Sequence, residues 1–268
     1  MAYWEWGEPG NGRVLVCVHG LSRQGRDFDT LAAQMVGLGW RVVCPDVVGR
    51  GRSDWLDDPS GYAIPSYVAD MVTLLARLDA ETVDWVGTSM GGLIGMALAS
   101  MPGSPVRRLV MSDVGPEITV ESIERIAAYV GTDPRWASFD EALAYIRTVS
   151  APFGNLDAAQ WRHLTEHSIR QDSDGRWCFR YDPRVAEPFK ASFAGQPIDL
   201  WPFYEQVSCP TLVVRGAESD LLTRATWLQM GERGPRAKLA EIPGVGHAPM
   251  FVTDDQIAVV RDFLLGAA

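Results

Sequence analysis

Two hydrophobic periods alternate along this chain. Short runs of apolar and β-branched residues at 14–18, 41–44, 83–86, 106–111 and 211–215 read as buried strands, with a weaker last strand at 239–242. Residues 3–6 read as an edge strand with Trp4 and Trp6 on one face. Between the strands, residues 28–36, 67–78, 93–99, 225–231 and 254–265 carry helical spacing. Strands that are apolar along their whole length belong to parallel sheets covered on both faces. Strands alternating with helices imply βαβ units. The predicted fold class is therefore α/β, a mostly parallel central sheet with helices on both faces.

The pattern breaks after Val114 and resumes near Thr211. The intervening stretch lacks a strong strand run and reads as helices over 120–130, 139–150 and 157–171, with a turn at Asp172-Ser173-Asp174-Gly175. It is expected to be a mainly helical cap inserted into the core. The expected organisation is a first core part at 1–115, a helical cap at 116–201 and a second core part at 202–268.

Composition adds little beyond exclusions. The 268 residues are 47% hydrophobic, enough for a sizeable core. A net charge of -10 disfavours nucleic acid or an anionic membrane as partner, since both require clustered Lys and Arg. Cys17, Cys44, Cys178 and Cys209 form no Cys-x-x-Cys pair. The N-terminus lacks the basic and apolar regions of a signal peptide, and no apolar run is long enough to span a bilayer. A reducing cytoplasm is the expected location.

Ligands of open parallel sheets collect at the carboxyl ends of the strands, so the residues following each strand carry the candidate chemistry. The 83–86 strand runs into Gly87-Thr88-Ser89-Met90-Gly91-Gly92. Gly-x-Ser-x-Gly between strand and helix describes a sharp turn that exposes the serine hydroxyl. The 14–18 strand is followed by His19-Gly20-Leu21-Ser22. The Leu21 amide there is the expected partner of the Met90 amide in an oxyanion hole, and His19 is expected to tie down the loop. After the 211–215 strand comes Gly216-Ala217-Glu218-Ser219-Asp220, where Asp220 is the favoured acid; Asp113, after the 106–111 strand, is the competitor. The last strand leads to His247 in the Gly-rich run Pro243-Gly244-Val245-Gly246-His247. The chain order Ser89, Asp220, His247 is the Ser…Asp…His order of a nucleophile, acid and base on such a sheet.

These motifs, together with His19-Gly20 and Asp46-Val47-Val48-Gly49-Arg50-Gly51-Arg52-Ser53, resemble the α/β-hydrolase fold family over nearly the whole chain. The resemblance implies Ser89 as nucleophile, His247 as base and Asp220 as acid, with no metal or cofactor. It also implies that the Asp46–Ser53 segment is a structural loop near the site. The family's usual first strand is absent, so the sheet is expected to be one strand short. The expected activity is hydrolysis of carboxylic esters with small or medium acyl groups through an acyl-enzyme. The alternatives are carbon–carbon bond hydrolysis, lactone opening or perhydrolysis on the same triad, or a small-ligand receptor with weak turnover. A serine at 89 argues against the carboxylate-nucleophile dehalogenases and epoxide hydrolases.

Trp136, Trp161, Trp177 and Arg23 are the candidates for the substrate pocket. His163 and His167, spaced i, i+4, put two imidazoles on one helix face. With no third ligand in view they are read as a polar face and not as a metal site. The natural substrate and the oligomeric state are left open.

Overall fold

Strand β1 (Tyr3–Trp6) is followed by β2 (Val14–Val18), helix α1 (Asp29–Gly37), β3 (Arg41–Pro45), α2 (Ile64–Leu78), β4 (Val83–Thr88), α3 (Met90–Ala99) and β5 (Val106–Ser112). The chain then leaves the sheet through β6 (Glu117–Ile118), α4 (Val120–Tyr129), α5 (Phe139–Val149), α6 (Ala158–Ser168), β7 (Ile169–Gln171), β8 (Trp177–Phe179), α7 (Ala186–Ala191), β9 (Ile198–Asp199) and α8 (Trp201–Tyr204). It returns through β10 (Thr211–Gly216), α9 (Arg224–Met230), β11 (Lys238–Ile242) and α10 (Asp254–Leu265). The computed structural model describes residues 1–191 and 196–266.

Among the described residues, seven strands form one sheet in the order β1-β3-β2-β4-β5-β10-β11. All neighbours are parallel except β1 and β3. Period-two geometry explains why its strands are apolar throughout. Val14, Val16 and Val18 of β2 face the layer holding Ile94, Leu74 and Met71, while Leu15 and Cys17 face Phe28, Leu31 and Phe251. Each such side chain buried contributes about 1.5–3 kcal/mol. The helices on both faces exist because each sheet face must be covered.

The segment between β5 and β10 is less purely helical than its sequence pattern. Short antiparallel pairs join β6 to β9 and β7 to β8. The helix expected over 157–171 stops at Ser168, because Ile169, Arg170 and Gln171 pair with Phe179, Cys178 and Trp177. Gly175, with φ +74°, supports the intervening turn. The start of α6 is local chemistry. Asp157 accepts the Gln160 amide at 2.8 Å while the Gln160 side chain accepts the Asp157 amide at 2.8 Å, a reciprocal capping box.

All four cysteines carry free thiols, three of them buried. No helix among the described residues is long and apolar enough to cross a membrane.

Candidate active site

Ser89 stands alone between the last residue of β4 and the first of α3, with φ 52° and ψ -115°. A non-glycine residue there costs on the order of 1–3 kcal/mol, tolerated only where the surroundings enforce it. The enforcement is visible. The Ser89 amide donates to the Ser112 carbonyl at 2.9 Å, and the flanking glycines let strand and helix approach. A Cβ on Gly87 would stand 2.1 Å from the Gly91 carbonyl oxygen, and one on Gly91 would stand 1.9 Å from that of Val18. Met90 opens α3, so its amide has no partner within the helix and lies at the positive end of the helix dipole.

His247 lies in the loop after β11, and its Nδ1 donates to Oδ2 of Asp113 at 2.8 Å. The acid against the imidazole is thus Asp113, and the expectation of Asp220 is corrected. Asp113 directly follows β5 with φ 54°, and its amide donates to Val214 of the neighbouring β10 at 2.7 Å. Its fully buried carboxylate also accepts the Gly216 amide at 2.9 Å and the Ser219 hydroxyl at 2.6 Å.

The loop after β10 explains the displacement of Asp220. Ser219 takes the inward position, and its oxygen accepts the Leu221 and Leu222 amides, each at 3.2 Å. That turn sends the next side chain outward. The Asp220 side chain is 55% exposed, and its Oδ1 accepts from Nη2 of Arg125 on α4 at 2.9 Å.

His19 holds the opposite wall, as its loop position implied. Its Nε2 accepts the Val47 amide at 3.0 Å, so its proton sits on Nδ1, which donates to the Gly20 carbonyl at 2.7 Å. Complete burial pushes its pKa down to about 3, keeping the ring neutral. Sequence reading gave Arg50 no role of its own beyond membership of a loop. The structure buries it entirely. Its Nε donates to the Leu21 carbonyl at 2.8 Å, and its Nη1 donates to the Val48 carbonyl and the Tyr67 hydroxyl, each at 2.8 Å. The peptide carrying the Leu21 amide is held by His19 through its Gly20 carbonyl, and Arg50 holds the next peptide of the loop through the Leu21 carbonyl.

Leu21, Ser89, Met90 and His247 line one cavity of about 800 Å³. Its volume falls within the range of small-molecule sites. The inserted segment contributes Tyr145, Phe153, Phe179 and Tyr181 to its wall. Arg23 lines the cavity as anticipated, but Asp27 neutralises it through contacts of 2.7 and 2.6 Å, and its Nη1 donates to Ser168 of α6 at 2.9 Å. Trp136, Trp161 and Trp177 do not line it, contrary to expectation. They pack with Ile146, Leu164 and Met250 in a separate cluster. Trp136 meets the lining Phe179 edge-on at 5.1 Å and so backs the wall from behind.

A sequence model of the family described as alpha/beta hydrolase fold matches residues 13–254. A 3-hydroxybutyrate-oligomer hydrolase from Cupriavidus necator is 53% identical over 274 residues, covering 100% of this chain and 93% of that protein. An esterase from Mycobacterium tuberculosis is 30% identical over 272 residues, covering 97% of this chain and 84% of that protein. The solved structure of an alpha/beta hydrolase from Novosphingobium aromaticivorans superposes with a TM-score of 0.88 at 35% identity, covering 98% of this chain and 93% of that one.

Proposed function

The chain belongs to the alpha/beta hydrolase fold family, and from that premise we propose that it is a serine esterase acting on short hydroxyacyl esters, oligomers of 3-hydroxybutyrate among them. The observation that carries the reading is the 2.8 Å hydrogen bond from His247 to Asp113, on a histidine that shares a cavity wall with Ser89. The substrate class is supported by the 53% identity to a hydrolase of such oligomers. The largely apolar, aromatic wall suits short aliphatic units.

Asp113 holds His247 with its Nδ1 protonated, which leaves Nε2 to take the proton of Ser89. The Ser89 oxygen attacks the ester carbonyl, and the amides of Leu21 and Met90 receive the developing oxyanion, each donor contributing about 3 kcal/mol. His247 then protonates the departing alkoxide oxygen of the alcohol unit as the C–O bond breaks, leaving an acyl-Ser89. Water, deprotonated by His247, attacks the acyl carbonyl, and Ser89 leaves with the proton returned from the imidazole. Asp113 stabilises the imidazolium in both halves. Residues 116–201 act as the cap that closes the cavity and excludes bulk water. The four free thiols accord with a cytoplasmic location.

The test compares the linear dimer and trimer of 3-hydroxybutyrate with p-nitrophenyl esters of increasing acyl length, using the wild type and Ser89→Ala. The expected result is a higher kcat/KM for the oligomers than for simple esters, with a loss on the order of 10⁴-fold or more in the variant. Turnover retained by Ser89→Ala would remove the serine mechanism. Cleavage of simple esters without any of the oligomers would remove the substrate assignment alone.

A further inference from the structure

Helix α6 presents His163 and His167 on one face, with ring centroids 4.5 Å apart. The sequence offered no third ligand, but the fold brings one from a segment more than a hundred residues away. Asp29, the first residue of α1, lies with Oδ2 3.3 Å from Nε2 of His163. One ligand atom from each of Asp29, His163 and His167 falls within 4.8 Å of the others. Donors on a tetrahedral zinc ion are about 3.4 Å apart, so small rotamer adjustments close the set. All three residues are partly exposed, which leaves an entry path and a position for solvent.

We propose that Asp29, His163 and His167 form a binding site for a divalent transition-metal ion, zinc being the natural fit, which joins α6 of the insertion to α1 of the core. Two imidazoles and a carboxylate are a donor set that borderline ions prefer over magnesium or calcium. Arg26 now holds the Asp29 carboxylate with Nε at 2.7 Å from both oxygens. It also lies 4.6 Å from the centroid of the Trp4 ring, a second contact independent of the carboxylate. The Arg23–Ser168 hydrogen bond, one residue beyond His167, already crosses between the same two parts of the chain at the cavity wall. An ion in this place reinforces that crossing.

The test is calorimetric titration of zinc chloride into the chelator-treated full chain, beside His167→Asn and Asp29→Asn. His167→Asn keeps the Asp29–Arg26 and Asp29–His163 contacts, so it separates ligation from folding. The expected result is one ion per chain in the wild type, with affinity weakened on the order of tenfold or more in His167→Asn. Zinc should raise the Tm of the wild type and raise it less in that variant, because ligand binding to the folded state alone stabilises it. Cobalt should give the visible absorption of a tetrahedral nitrogen and oxygen site. Absence of binding, an affinity unchanged by His167→Asn, or a cobalt spectrum of thiolate ligation would each overturn the proposal.

Discussion

His247 and Asp113 are joined by a 2.8 Å hydrogen bond across 134 residues of chain. The bond fixes which ring nitrogen carries the proton and therefore which one faces the cavity. If that is the catalytic arrangement, Asp113→Asn should lower kcat on the order of 10⁴-fold, because a donating amide imposes the wrong tautomer. Asp220→Asn should leave kcat within about twofold of the wild type, since an exposed ion pair contributes about 0–1 kcal/mol. Steady-state kinetics on the two variants decide between the acids, and the reverse pattern would refute the assignment.

Ser219 supplies a hydroxyl to the same carboxylate oxygen that accepts from His247, and its oxygen receives two loop amides. Ser219→Ala should cost about 1.5–3 kcal/mol of stability, the usual loss for a hydrogen bond to a buried charge. Denaturant midpoints measure this. A change under about 0.5 kcal/mol would mean that water replaces the hydroxyl without loss.

Gly91 has no room for a side chain, with the Val18 carbonyl 1.9 Å from its notional Cβ. Gly91→Ala must push α3 away from β2, and should cost about 3 kcal/mol or more while misplacing Ser89. The expected outcome is a lowered Tm together with lost esterase turnover. A normal Tm would show that the helix shifts freely.

The buried His19 makes stability depend on pH. Its folded pKa is about 3 and its ordinary value is 6.5, so the unfolded chain binds the extra proton between them. Stability from this group is fully present above the ordinary value and falls by about 1.4 kcal/mol per pH unit as the pH drops toward the folded one. Urea unfolding of the wild type and His19→Gln between pH 4 and pH 7 measures the difference. Equal slopes for the two proteins would show that His19 is not the group responsible.

The order of strands and helices, the serine turn and the histidine loop were all legible in the residues. Each is decided by local periodicity or by glycines that a tight corner demands. The boundary of α6 was not, because Ile169 to Gln171 leave the helix to pair with β8, a partner that periodicity does not reveal.

Sequence by itself determined that Ser89 and His247 would each follow a parallel strand at the same end of a sheet, where both now line one cavity. Only the tertiary structure decided which carboxylate meets the imidazole. In a loop, the direction of a side chain depends on which neighbour captures the available amides, and Ser219 captured them, turning Asp220 outward. Tertiary packing likewise set the tryptophans behind the wall and brought Asp29 to two histidines. Such contacts join segments distant in the chain, and no local pattern of residues encodes the relative placement of two packed elements.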